Sequence, residues 1–143
     1  KSKIIHDDYL NYRFSEYFDC ILIDAPCTAS GLIQKKPEIL IKDKRLELKK
    51  LESKQQKMLK KSAEILKPGG YIVYCVCSIL SKEGIDQINY FLKNNKNFEL
   101  VSINNEIASF GRTLKKGVIL ITPDEIEIKG GLDGFFISLI QKK

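Results

Sequence analysis

The sequence has no tryptophan, a single histidine, a single methionine and only four prolines in 143 residues, and no glycine precedes Gly31. No apolar run approaches the roughly 20 residues that a membrane span needs. The opening stretch "KSKIIHDDYL" lacks the apolar segment of a secretory signal. The chain is therefore expected in the cytoplasm, outside any membrane. Its four cysteines, Cys20, Cys27, Cys75 and Cys77, are expected as reduced thiols and not as a disulfide framework. Their spacings are not those of zinc ribbons or fingers. His6 reads as a surface or turn residue rather than a base. No internal repeat, linker or low-complexity tail is visible. The first residue is Lys1 and not Met, so a processed chain or a piece of a longer one is expected.

What is present is lysine. The net charge is +6 and the pI about 9.1. That balance favours an anionic partner, nucleic acid first; a solvated lysine surface is the plainer alternative. The hydrophobic fraction of 43% is ordinary, and the length suits one domain with a real core.

"FDCILID" is the strongest strand signal: a continuous apolar run closed by a turn, as in a strand covered on both faces. "KSKII" is a second, shorter candidate. From about Lys42 the residues Leu48, Leu51, Met58, Leu59, Ala63 and Leu66 fall at helical spacing, and Lys67-Pro68-Gly69-Gly70 stops the helix. "YIVYCVCSI" is the next buried strand. "SKEGIDQINYFLKNN" is an amphipathic helix with Ile85, Ile88 and Leu92 on one side. "FELVSI", "GVILITP" and "DGFFISLIQ" are further strands, with glycine-rich turns between the last two. The alternation predicts an α/β sheet with helices on its faces and an antiparallel element at the end.

Both unusual sequences, Asp24-Ala25-Pro26-Cys27 and Cys77-Ser78, sit at the carboxyl ends of strands, where open α/β sheets bind ligands. A helical crossover joins the two strands, which makes them expected neighbours. Cys27 and Cys77 would then face one cleft. Cys75 shares the strand parity of Cys77, so those two are expected on one side. Cys20 and Cys75, inside strands, read as small buried hydrophobes. Asp19 reads as the end of a turn before the strand. Phe135 and Phe136 read as core. The lysines from Lys35 to Lys67 could line an RNA path, although most of those on the helix read as its solvated face.

"DAPCTASG", "LKPGGYIVYCVCSI" and "DGFF", in this order, resemble the signatures of the Sun/Fmu family of RNA cytosine carbon-5 methyltransferases, whose bacterial members modify small-subunit ribosomal RNA. The resemblance runs from about Ile4 to the end. It implies the carboxyl-terminal part of a Rossmann-like methyltransferase sheet, mostly parallel with an antiparallel terminal strand. Residues 1–143 would be a partial catalytic domain, without the family's glycine-rich cofactor loop or amino-terminal RNA-binding domain. It further implies S-adenosylmethionine as cofactor and RNA, ribosomal RNA first, as partner.

By the same resemblance, Cys77 is the nucleophile that adds to carbon 6 of cytosine, and Cys27 assists breakdown of the covalent adduct. Asp24 lies close to the cofactor and holds the target base, with Pro26 stiffening the turn. Asp7 best matches the acid that contacts the cofactor's adenine end, with Asp8 as the fallback. The target base must leave its stack to reach such a cleft.

Three departures from the family pattern are visible. Val76 replaces the threonine before the second cysteine, Cys75 is an extra thiol, and "KKPEILIK" lacks the tryptophan often found in the corresponding basic loop. A sheet missing the family's first strand would also leave an edge of "FDCILID" open, which invites pairing with a second copy. The fragment alone is expected to bind S-adenosylmethionine weakly and to be inactive. Two rival readings stay open: a noncatalytic RNA-binding or assembly module on the same fold, and a thiol redox protein using Cys75 and Cys77.

Overall fold

The computed structural model describes residues 2–41, 45–124 and 132–143. Strand β1 (Phe18–Asp24) leads through two short 3-10 turns, Ser30–Leu32 and Pro37–Leu40, to helix α1 (Arg45–Ile65) and then β2 (Leu66–Val76). Next come α2 (Ile85–Asn94), β3 (Phe98–Leu100), α3 (Asn105–Ala108), β4 (Arg112–Lys115), β5 (Val118–Ile121) and β6 (Phe135–Lys142). The sheet order is β1-β2-β6-β5-β4, with β3 also paired to β6. β1 and β2 are the parallel pair, and β6 returns antiparallel to β2 and β5. The expected α/β class, crossover and antiparallel last strand are all present.

The stop signal works as expected from its residues. Gly69 adopts φ 76°, a left-handed value that side chains disfavour. Leu66 already pairs with Phe18, residues 67–70 bulge from the ladder, and regular pairing with β1 resumes at Tyr71 opposite Cys20.

One face of β1 and β2 carries the core. Ile23, Ile72, Tyr74 and Val76 pack with Leu59 and Ala63 of α1 and Ile88 and Phe91 of α2. Burying side chains of this size contributes about 1.5–3 kcal/mol each. Phe136 meets Tyr74 edge-on at 6.3 Å, so it fills core as expected. Exposed lysines such as Lys50, Lys54 and Lys57 form the solvated side of α1.

Several expectations need correction. "KSKII" forms no strand, and Ile4 is 93% exposed. A short run with no strand beside it has no partner for its backbone groups. The chain after it is anchored instead to α1: Tyr9 Oη lies 2.7 Å from Ser62 Oγ, and Lys61 Nζ donates to the carbonyls of Leu10 and Tyr12 at 2.9 and 2.6 Å. β1 is not covered on both faces. Leu22 is 69% exposed, Cys20 and Asp24 are exposed, and Tyr71 beside them is 39% exposed. Among the described residues β1 has β2 as its one strand neighbour and is a sheet edge. Asp19 lies inside β1, where its carboxylate pairs with Lys67 at 2.9 Å. "FELVSI" shortens to Phe98–Leu100. The glycine-rich turn before β6 and part of the 35–67 lysine stretch fall outside the described residues.

The motif glycines have a steric reason. The backbones of Gly31 and Gly134 touch, with Gly134 N–H donating to the Gly31 carbonyl at 2.8 Å. A Cβ on Gly31 would stand 2.0 Å from the Gly134 oxygen. Lys35 adds an ion pair to Asp133 at 2.7 Å. The loop after Cys27 is thus pinned to the start of β6.

Candidate active site

β1 ends at Asp24, and Ala25 N–H donates to the Cys75 carbonyl at 3.0 Å, carrying the pairing one step further. The chain then leaves the sheet through Pro26, Cys27 and Thr28. On β2 the strand ends at Val76, so Cys77 lies just beyond it. Strand parity therefore stops short of Cys77. Gly31 N–H donates to the Cys77 carbonyl at 3.1 Å, and Ser30 Oγ lies 2.8 Å from Ser78 Oγ. Ile79 N–H also donates to Ser30 Oγ at 3.1 Å. These bonds stitch the two strand-end turns together.

The result is a pair of sulfurs. Cys27 Sγ lies 3.3 Å from Cys77 Sγ, and both residues are partly exposed. Burial pushes the Cys27 thiol up to about 12, and the neighbouring Cys77 and the charge of Glu83 add to the rise against a lowering bond from the Ala29 backbone. A thiol raised that far stays protonated at neutral pH and can donate its S–H to the second sulfur.

Asp24 is exposed at the end of β1, opposite Cys75 in the register. Burial first, then the Asp24 charge, push the Cys75 thiol up to about 11. Among the described residues Asp24 has no hydrogen-bond or ion-pair partner. Its exposed carboxylate can accept from a ligand's hydroxyl, amino or ammonium group. Cys75 is buried, and the sulfur that meets Cys77 is that of Cys27. Asp7 lies in the exposed leading segment, where its carboxylate accepts from the Asp8 amide at 2.7 Å, and His6 is exposed beside it.

Residues the sequence did not single out hold the cysteine turn. Glu83 Oε1 accepts from Thr28 N–H at 2.9 Å, and Glu83 Oε2 from Thr28 Oγ1 at 2.6 Å. Gln55 Nε2 donates to the Pro26 carbonyl at 2.9 Å and to Glu83 Oε1 at 3.3 Å. The sequence did carry a signal for Gln55. It occupies the phase of Leu51 and Leu59 on α1, a polar residue on the apolar stripe. Glu83 falls within the expected helix "SKEGIDQINYFLKNN", whereas in the structure it lies in the turn before α2.

A groove of about 390 Å³ lies elsewhere, between α1 and α2, lined by residues including Lys57, Lys60, Tyr90 and Phe91. It includes none of the four predicted site residues. Among the described residues no three cysteine, histidine or acidic side chains are grouped to hold a metal ion, and no helix is long and apolar enough to cross a membrane.

Comparison with known proteins decides the family. The description "16S rRNA methyltransferase RsmB/F" matches residues 1–141. The chain belongs to the RsmB/F family. It is 37% identical over 145 residues to ribosomal RNA small subunit methyltransferase B of Shewanella oneidensis, which covers 99% of this chain and 32% of that protein. The protein of the same name from Klebsiella pneumoniae is 42% identical over 129 residues, covering 90% of this chain and 27% of the relative. The chain thus spans about a third or less of the length of these relatives. Among solved structures it resembles NSun6 from Pyrococcus horikoshii, solved with SFG, an S-adenosylmethionine analogue, at TM-score 0.72 and 25% identity, covering 90% of this chain and 31% of that one. A methyltransferase homologue from the same organism matches at TM-score 0.68 and 29% identity, covering 90% of this chain and 40% of that one. The Rossmann-like methyltransferase fold is shared, and S-adenosylmethionine is the cofactor of the RsmB/F family.

Proposed function

We propose that these residues are the carboxyl-terminal part of the catalytic domain of a ribosomal RNA cytosine-5 methyltransferase, with Cys77 as nucleophile and Cys27 as the residue that releases the product. The observation that carries the reading is the 3.3 Å approach of the two sulfurs at neighbouring strand ends. The match to small-subunit RNA methyltransferases supports the substrate class.

Cytosine carbon 5 is a weak nucleophile. When the Cys77 thiolate adds to carbon 6, the ring's double-bond electrons are pushed toward carbon 5, which can then take a methyl group. S-adenosylmethionine supplies that methyl in an electrophilic form when bound. Asp24 fits it as an exposed acceptor at the carboxyl end of β1, and Asp7, exposed in the leading segment, is the acid proposed for the adenine end. After transfer, a water molecule from solvent takes the proton from carbon 5 as base. The electrons of that bond restore the ring as the carbon–sulfur bond breaks and Cys77 departs as thiolate. Cys27, held protonated, donates its S–H to the departing sulfur.

The two cysteines have opposite signatures in the full-length protein. Cys77→Ala abolishes methylation and forms no adduct. Cys27→Ala accumulates a covalent protein–RNA complex, seen as a denaturation-resistant gel shift. Methylation by Cys77→Ala at the wild-type rate would defeat the mechanism.

A further inference from the structure

Glu83 is a fully buried carboxylate, and among the described residues no cation pairs with it. Burying a charge is costly unless hydrogen bonds compensate it, and an apolar residue of similar size would pack without that cost. Its compensation comes from Thr28, through N–H and Oγ1, and from Gln55. Gln55 also holds the Pro26 carbonyl, so the residues on both sides of Cys27 are fixed by one network. Tyr74 Oη, donating to the Glu83 carbonyl at 2.7 Å, ties that network to β2.

We propose that Glu83 is a positioning residue that divides the work between the two thiols: through Thr28 and Gln55 it holds the Cys27 sulfur against Cys77, and its negative charge keeps the proton on Cys27, leaving Cys77 as the sulfur that attacks. The inference rests on the nucleophile assignment above. The titratable groups facing Cys27 are Tyr74 from β2, Cys77 just beyond it and Glu83 from the turn before α2, while α1 presents the neutral amide of Gln55. Glu83 is the carboxylate in this set. Burial is the largest cause that raises Cys27, and the neighbouring Cys77 and then the Glu83 charge add to it.

Glu83→Gln separates charge from shape, because the amide oxygen can still accept from Thr28. The readout is iodoacetamide labelling of each cysteine across pH, followed by peptide mass spectrometry, with a thermal melt to verify the fold. The expected result is about fivefold or faster labelling of Cys27 at fixed pH, with its profile moved to lower pH. A folded Glu83→Gln chain with the wild-type Cys27 profile overturns the proposal. If that variant does not fold, Thr28→Val removes one arm of the clamp and should also speed Cys27 labelling; unchanged labelling there overturns it equally. Neither assay uses RNA or cofactor, so this failure is distinct from failure of the adduct experiment, which tests the methyltransferase reading itself.

Discussion

Cys27 Sγ and Cys77 Sγ stand 3.3 Å apart although 50 residues separate them in the chain. The approach follows from topology. Each cysteine trails a strand, the strands are parallel neighbours, and the crossover helix α1 brings both carboxyl ends to one edge. The two thiols are not equivalent, because burial and neighbouring groups push Cys27 up to about 12. A thiol held protonated in this way reacts slowly, so near pH 8 iodoacetamide should label Cys27 more slowly than a free cysteine. Peptide mass spectrometry of the time course checks the rate. Labelling of Cys27 at the rate of a free cysteine would refute it.

Stability depends on pH through the same groups. Cys27 and Cys75 are raised on folding from 9.0 to about 12 and about 11. Between the unfolded and folded values the native state binds more protons than the unfolded one, so stability falls as pH rises. Their contribution is fully present below about pH 9 and drains away toward pH 11 and 12. Tyr74, raised chiefly by burial, adds to the decline at the alkaline end. Thermal melts from about pH 8 upward should show a falling midpoint, and Cys27→Ala should flatten part of the slope.

The strands flanking the cysteines were legible because their signals are local: an apolar run, then a turn. α1 and α2 were legible from helical spacing. β4 and α3 were not read. Arg112-Thr113-Leu114-Lys115 has no apolar run, and its pairing depends on a left-handed Gly117 at φ 71°. α3 is four residues long, with its start held by Asn104 accepting from the Glu106 amide at 2.8 Å. Continuous apolarity in β1 suggested two covered faces, but composition does not reveal whether a second layer is there. At the site, Cys27 and Cys77 announce themselves by position at strand ends. Glu83 does not, because its role depends on a bond to Thr28 across 55 residues.

The contact between Gly31 and Gly134 predicts an ordered pair of effects. In Gly31→Ala the new methyl meets a backbone oxygen at 2.0 Å, which cannot turn aside. In Gly134→Ala the nearest atom is Ile79 Cγ2 at 2.5 Å, a side chain that can rotate away, and the nearest backbone atom, Gly31 Cα, stands further off at 2.8 Å. Overpacking costs about 1–3 kcal/mol, and Gly31→Ala should sit at the top of that range or above it. Urea midpoints of the two variants measure the difference. Equal midpoints would mean that the close approach carries no weight.

Cofactor binding by these 143 residues alone is expected to be weak. Asp24 and Asp7 are both exposed carboxylates, one at the end of β1 and one in the leading segment. A single exposed carboxylate gives little net energy in water. Isothermal titration with S-adenosylmethionine should show no saturation in the micromolar range. Tight, stoichiometric binding would show that the described residues form a complete site.

The open face and edge of β1 predict self-association with a second copy. Leu22, 69% exposed, sits in the middle of the edge strand beside the exposed Cys20, with Tyr71 of β2 on the same face. An edge of this kind offers unpaired backbone groups next to apolar side chains, and native sheets use lysine at such places to prevent pairing. Leu22→Lys should therefore leave the melting midpoint nearly unchanged, since exposed substitutions usually fall within about 0.5 kcal/mol. Leu59→Ala, from the packed side of α1, should by contrast cost about 2–5 kcal/mol. In sedimentation velocity the wild-type chain should grow heavier with concentration while Leu22→Lys stays monomeric. Identical concentration dependence in the two would place the contact elsewhere than the β1 edge.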